Sequence, residues 1–245
     1  MNGSIHIGTS GWSYKHWKGL FYPDGLKEVE WLPYYSRFFN IAEINTSFYH
    51  MPKHQTVLNW LEKAPKDFLF CPKLSRYITH MKKLKDVEEP LHRFFEVFAP
   101  MQGQMGPVLV QLPPQLKWDY DRAERFYSGL KKEFKTFEFV VEVRHLTWLH
   151  QDSLTQMARY HLGVVISQSG GVFPYTEMVT AQNVYIRFHG PGALYASPYS
   201  DEMLQEYAHK IKAWARQGHT VWAFFNNDIH GYAFADAQKL QQLCQ

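Results

Sequence analysis

Val184-Tyr-Ile-Arg-Phe-His-Gly-Pro-Gly192 opens as an apolar and aromatic run and closes with an arginine and a histidine ahead of two glycines. In a strand, successive side chains point to opposite faces, so Tyr185, Arg187 and His189 share one face and Val184, Ile186 and Phe188 the other. The second face reads as core along its whole length. The first changes from apolar to titratable towards the C-terminal end. That change fits a parallel sheet whose strand ends line a ligand site.

Working outward, seven further apolar runs lie at residues 5–8, 41–44, 68–71, 108–111, 139–143, 164–166 and 221–225. Segments of helical period separate most of them. Trp31, Tyr34, Tyr35, Phe38 and Phe39 share a helical face, as do Val57, Leu58 and Leu61, and then Leu91, Phe94, Phe95 and Phe98. Further helices are predicted over 121–134, 153–161, 201–217 and 232–243. After the sixth run, residues 170–183 support only a short helical turn. Eight strands alternating with helices predict a single (β/α)8 TIM-type barrel with an irregular or missing helix after strand six. An open doubly wound sheet is the alternative.

The chain has 245 residues, 45% of them hydrophobic, enough for a substantial core. No Pro/Gly/Ser-rich linker or repeat divides it, so residues 1–245 are taken as one domain. A formal charge of +3 favours anionic partners over cationic ones but does not by itself indicate nucleic-acid binding. Cys71 and Cys244 form neither a disulfide framework nor a metal-ligand spacing, which fits a reducing compartment. The N-terminal segment enters a strand directly, and no apolar run is long enough to span a membrane. The expectation is a cytoplasmic protein without a membrane partner.

Polar residues recur at the strand ends. Glu43 and Asn45 close strand two, Glu142 and Arg144 strand five, and Arg187 and His189 strand seven. Lys73 follows strand three, Gln111 ends strand four, and Asn226, Asn227 and Asp228 follow strand eight. Pairs two residues apart point to one side, so these residues predict a polar ring inside the barrel mouth. With two carboxylates against three or four cations, the ring suits an anion such as a phosphate on Lys73, Arg144 and Arg187. Gly190-Pro191-Gly192 lies where barrels often bind phosphate through backbone N–H groups. The structural alternative is that Glu142–Arg144 and Glu43–Arg187 are buried ion pairs closing the barrel. A metal among Glu43, Glu142, His189 and Asp228 is a lesser reading, and no metal is assigned. No phosphate-loop, dinucleotide-binding or nucleophile-elbow motif is present, and no cofactor is identified.

Several strings are familiar in combination: GTSGWSYKHWKGLFYP at 8–23, EINTSFYHMP at 43–52, PKLSRYITH at 72–80 and VLVQLPP at 108–114. With VEVRHLTW at 141–148, RFHGPG at 187–192, YSDEML at 199–204 and FNNDIHGYA at 225–233, the chain resembles the YecE-like family, a domain of unknown function. The resemblance implies a TIM barrel similar to sugar isomerases and apurinic-site endonucleases, with no established reaction. Its motif positions fall here on Trp12, Glu43, Asn45, Tyr49, Lys73, His80, Gln111, Glu142, Arg144, Arg187, His189, Asn226 and Asn227. Strand five departs from the family's pattern in having Leu146 where a proline is usual, and Ser167-Gln-Ser follows strand six where an acidic ending is common.

The leading functional expectation is an enzyme acting on an anionic, phosphorylated or carbohydrate-like ligand. Glu142, or Glu43 as second choice, would act as general acid/base, and His189 would shuttle a proton or orient the ligand. Lys73, Arg144 and Arg187 would bind and polarise the anion. Asn45 and Gln111 read as hydrogen-bonding struts, and Trp12, Tyr14, Trp17 and Tyr49 would wall the pocket. Lys73 could instead be a Schiff-base nucleophile. A rival expectation is nucleic-acid binding through the basic run Arg76 to Lys85, which contains Tyr77, together with the aromatic loop from Trp12 to Tyr22. A noncatalytic ligand sensor is the third.

Overall fold

The computed structural model describes residues 2–245. Short runs of β-branched and aromatic residues form eight strands: β1 (Ile5–Thr9), β2 (Ile41–Ile44), β3 (Leu69–Pro72), β4 (Val108–Gln111), β5 (Phe139–Glu142), β6 (Gly163–Gln168), β7 (Asn183–Phe188) and β8 (Thr220–Phe225). All pair in parallel in the order β3-β2-β1-β8-β7-β6-β5-β4. Strands three and four complete the circle through bridges at Phe70–Met105 and Lys73–Leu109. There the Gly106 amide donates to the Phe70 carbonyl and the Leu74 amide to the Leu109 carbonyl, both at 2.9 Å. A side chain on Gly106 would begin 2.6 Å from Cys71 Sγ and 2.7 Å from the Trp222 ring, so only glycine lets this segment close the wall. The result is a nearly closed TIM-type barrel.

The helices are α1 (Trp31–Tyr35), α2 (Thr46–Tyr49), α3 (His54–Lys63), α4 (Glu88–Phe98), α5 (Tyr120–Glu133), α6 (Gln151–Arg159), α7 (Asp201–Arg216) and α8 (Tyr232–Cys244). In α4 the buried face matches the apolar spacing, with Leu91, Phe94, Phe95 and Phe98 buried, whereas in α3 only Val57 of the expected face is buried and Leu58 is exposed. Asp119 caps α5 by accepting from the Arg122 amide at 2.9 Å, and Ser200 caps α7 by accepting from the Met203 amide at 3.3 Å. No helix follows β6. The chain crosses from β6 to β7 as an irregular loop, the exception expected from its sequence.

Two elements differ from expectation. The helix predicted through Phe39 ends at Tyr35, because Arg37 and Phe38 donate three residues back, to Tyr34 and Tyr35, and tighten the chain into turns. Strand three begins at Leu69 rather than Phe68, because the Phe68 amide closes a turn on the Pro65 carbonyl. A single π-helical turn, Tyr77–Met81, also follows β3, and sequence period does not foreshadow it.

Inside the barrel, Ile41, Cys71, Leu109, Val140, Val165, Tyr185, Trp222 and Phe224 form a buried cluster of their own. The outward-facing strand residues join the helices in a larger core. Both cysteines are free. Among the described residues no helix is long and apolar enough to cross a membrane.

Candidate active site at the barrel mouth

Two residues beyond the apolar cluster, the same strand faces turn polar. Ile41 is followed by Glu43, Cys71 by Lys73, Leu109 by Gln111, Val140 by Glu142, Val165 by Ser167, and Tyr185 by Arg187 and then His189. Strand alternation therefore places these groups at the C-terminal end of the barrel interior.

Arg187 lies at the centre of the network. Its Nε and Nη2 donate to Glu43 Oε2 and Oε1 at 3.0 and 2.7 Å, a two-pronged pair. Its Nη1 donates to Glu142 Oε2 at 2.7 Å. Tyr185 adds a hydroxyl donor to Glu43 Oε2 at 2.8 Å. Glu142 Oε1 accepts from Arg144 Nη2, Ser167 Oγ and His189 Nε2, each at 2.8 Å. Both carboxylates, Arg187 and His189 are almost completely buried. The ion pairs Glu43–Arg187 and Glu142–Arg144 raised by the sequence are present, and Arg187 bridges the two carboxylates as well.

Protonation follows from this geometry. Burial alone would raise the Glu142 carboxyl, but the Arg144 and Arg187 guanidiniums outweigh it and hold the group well below the usual carboxylate range. Burial pushes His189 down to about 4 against the pull of Glu142, so the ring is neutral at neutral pH. Asn226 Nδ2 faces His189 Nδ1 at 3.1 Å, which makes Nδ1 the acceptor and leaves the ring hydrogen on Nε2, facing Glu142. The 3.5 Å approach of Arg144 Nη2 to His189 Nε2 is then a contact between two donors.

Two cations keep unused hydrogen-bonding capacity. Lys73 is only 7% exposed, and its Nζ makes no hydrogen bond or ion pair to any described residue. It rests 4.0 Å from the centroid of the Phe48 ring. Burial, reinforced by Arg187, lowers the Lys73 amine to about 7. Arg144 Nη1 is buried with no partner, while its guanidinium carbon lies 3.3 Å from the centroid of the Phe173 ring. Phe173 belongs to the loop that replaces the helix after β6, just past Gly170 and Gly171, both in the left-handed region. His80, edge-on to Phe48 at 5.0 Å, is pushed down to about 4 by burial and by Lys73, Arg76 and Arg144.

A cleft of 410 Å³ opens beside Glu43, between the loop after the first strand and the end of the second. Glu43, Asn45, Trp12, Tyr14, Tyr49 and Trp60 are among its lining residues. Asn45 Nδ2 donates to the Ser10 carbonyl at 3.0 Å, leaving its own Oδ1 and Ser10 Oγ buried without partners. Trp12 packs edge-on to Trp60 and Phe70, and Tyr49 is 69% exposed. Gln111 stands beside Glu142 in the β4–β5 register.

Four expectations need correction. Trp17 does not wall the pocket; it is buried against Phe21, Tyr22 and Phe234. Asn227 faces away from the mouth and donates to the Ser197 carbonyl and Asp236 Oδ2, because it is one residue out of phase with Asn226. The Gly190-Pro191-Gly192 loop does not offer its amides to a phosphate. Gly190 N donates to the Tyr199 hydroxyl and Gly192 N to Ser197 Oγ, both at 2.9 Å. Nor do Glu43, Glu142, His189 and Asp228 form a metal site: among the described residues no three acidic, histidine or cysteine side chains are gathered to hold an ion.

Phe48, Phe173 and Tyr195 are not singled out by the sequence, and Ser167 is noted there only as a departure from the family pattern. Ser167 could have been found, since it continues the inward phase of β6. The Tyr195 ring lies edge-on to His189 at 5.5 Å. Phe48, Phe173 and Tyr195 sit on a one-turn helix or loops, where no period marks the inward face.

The family described as "Protein of unknown function DUF72" matches residues 6–245. The chain is 27% identical over 235 residues to the UPF0759 protein YecE of Escherichia coli strain K12, covering 86% of this chain and 82% of that one. To the UPF0759 protein YunF of Bacillus subtilis it is 22% identical over 269 residues, covering 98% and 94%. The crystal structure of a DUF72 family protein from Thermotoga maritima superposes with a TM-score of 0.86 at 28% identity, covering 98% of each chain. One from Enterococcus faecalis gives 0.85 at 20% identity, covering 98% of this chain and 95% of that one, and speaks for the fold alone. With the family matched across nearly all of its length on an eight-stranded parallel barrel, this chain belongs to the DUF72 family.

Proposed function

We propose that the protein is an enzyme acting on a small anionic ligand, phosphorylated or carbohydrate-like, held in the barrel mouth. The observation that carries this reading is the pair of buried cations with free donors, Lys73 and Arg144, in a site whose two carboxylates are already engaged. A buried donor without a partner is costly, and an anion is the natural acceptor for it. In this reading Arg144 Nη1 binds the anion after the Phe173 ring turns aside. Lys73, part neutral and part protonated near neutral pH, moves the proton. His80, Gln111 and Asn226 orient the ligand's polar groups. The cleft by Trp12, Asn45 and Tyr49 takes the rest of the molecule.

The roles first expected of Glu142, Glu43 and Arg187 change accordingly. Their nearly complete mutual hydrogen bonding suits them to hold Arg144 and His189 in place rather than to exchange protons with a ligand. His189, neutral and fixed between Glu142 and Asn226, becomes a positioning residue.

The test is thermal denaturation with inorganic phosphate titrated at constant ionic strength. The wild-type Tm should rise with phosphate, following mass action on a folded-state site. Arg144→Gln, with folding confirmed by its circular dichroism, should lose that rise. A flat wild-type response, or a rise retained in Arg144→Gln, would refute the reading. A nucleic-acid reading draws on the exposed side chains of Arg76, Tyr77, Lys83 and Lys85 around the π-helical turn. It requires a labelled single-stranded oligonucleotide to bind more weakly as salt rises and when those lysines are replaced.

A further inference from the structure

We propose that Lys73 forms a covalent imine with the carbonyl group of an anionic aldehyde or ketone, which makes the ligand of the mouth a carbonyl compound. This rests on the anion-binding reading above and gives that ligand its reactive group.

The geometry sets Lys73 apart from every other cation in the mouth. Its backbone is held on both sides: the amide donates to the Ile44 carbonyl at 3.0 Å, and the carbonyl accepts from Ser47 Oγ at 2.6 Å. The side chain therefore leaves a rigid strand end in the inward phase set by Cys71. Its amine meets no carboxylate, because Arg187, Tyr185, Arg144, Ser167 and His189 occupy the oxygens of Glu43 and Glu142. An amine committed to an ion pair cannot attack a carbonyl, whereas burial, with Arg187 and Arg144 nearby, favours the neutral form of this one. Lys73 keeps 7% of its surface exposed, so it is not fully sealed. The Arg144 guanidinium, whose charge also lowers the Lys73 amine, would supply the counter-charge for the ligand's anionic end.

The step balances without any further reagent. The neutral Nζ gives its lone pair to the carbonyl carbon, forming a C–N bond, and the carbonyl π pair moves to oxygen, which takes a proton. The carbinolamine then loses that oxygen as water, the nitrogen giving up its second proton as the C=N bond forms. One amine and one carbonyl thus yield one imine and one water. The protonated imine withdraws electrons from the neighbouring carbon, the chemistry needed for proton removal or carbon–carbon cleavage there.

The experiment treats the whole protein with glyceraldehyde 3-phosphate and then sodium borohydride, followed by digestion and peptide mass spectrometry. Reduction should fix the three-carbon phosphate on the peptide containing Lys73, at higher occupancy than on the exposed lysines. Excess inorganic phosphate should suppress labelling there. Lys73→Met removes the amine without adding a charge and should lose this adduct. Labelling spread evenly over the lysines, or an unmodified Lys73 in a protein that binds phosphate, would overturn the imine and leave the anion site standing. Failure of the wild type to respond to phosphate at all would instead remove the reading on which the imine rests.

Discussion

The barrel interior has two layers two residues apart on the same strands, built from opposite chemistry. The lower one, with Leu109, Val140, Val165 and Phe224, is sealed by apolar contact. The upper one, with Glu43, Glu142, Arg144 and Arg187, is sealed by ion pairs and charged hydrogen bonds. Apolar packing stabilises with little directional demand, so the lower layer tolerates any sequence of suitable volume. Buried charges add little net stability and fail badly when one partner is lost. A ring of them in the mouth is therefore better explained by what it positions than by what it stabilises, and it leaves the Lys73 amine and one nitrogen of Arg144 with unused donors.

The sharpest break of this comparison is Glu142→Gln. Four charged or polar donors converge on this carboxylate, and neutralising it leaves the buried Arg144 guanidinium without a charge partner and Arg187 with Glu43 alone; the expected loss is about 3–5 kcal/mol in urea denaturation. Acid should reveal the same group. Its folded value lies below the ordinary 4.5, so its contribution is present above that pH and disappears as pH falls through the depressed value. His189 acts in the same direction, because its drop from 6.5 to about 4 disfavours the folded state as pH falls across that interval. Glu142→Gln should thus flatten the acid limb of the stability curve. Wild-type stability in this variant, with phosphate binding lost, would return Glu142 to the role of proton carrier.

A smaller and differently shaped effect is expected in the lower layer. Leu109→Ala should cost about 2–5 kcal/mol through lost burial and a residual cavity. Its stability should run parallel to wild type across the acid range, since no titratable group is touched. A changed pH profile would mean that the two layers are coupled more tightly than their separate chemistry implies.

The same contrast governs what could be read from the chain. Period-two alternation identified Glu43, Glu142, Arg144, Arg187 and His189 as one inward face, because strand phase is a local property of the sequence. Which of them pair was not legible. That depends on register between strands distant in the chain, as in the bond from Arg187 to Glu43 across 144 residues. Loop phase was equally hidden: Asn226 and Asn227 differ by one residue and face opposite ways, and Trp17 turns into the core although Trp12, Ser13 and Tyr14 earlier in the same loop line the cleft. Phe48 and Phe173, whose rings lie against Lys73 and Arg144, sit on a one-turn helix and an irregular loop where no period exists to read.

The state of Lys73 is the point on which the site's chemistry turns. Carbon-13 labelling of the lysine side chains, with the Lys73 signal assigned by its loss in Lys73→Met, allows the amine to be titrated directly by NMR in the ligand-free protein. A midpoint near the value of about 7 is expected for an amine buried beside guanidiniums with no carboxylate partner. A midpoint near the ordinary 10.5 would show a hydrated or ion-paired lysine and contradict both its general-base and its imine roles.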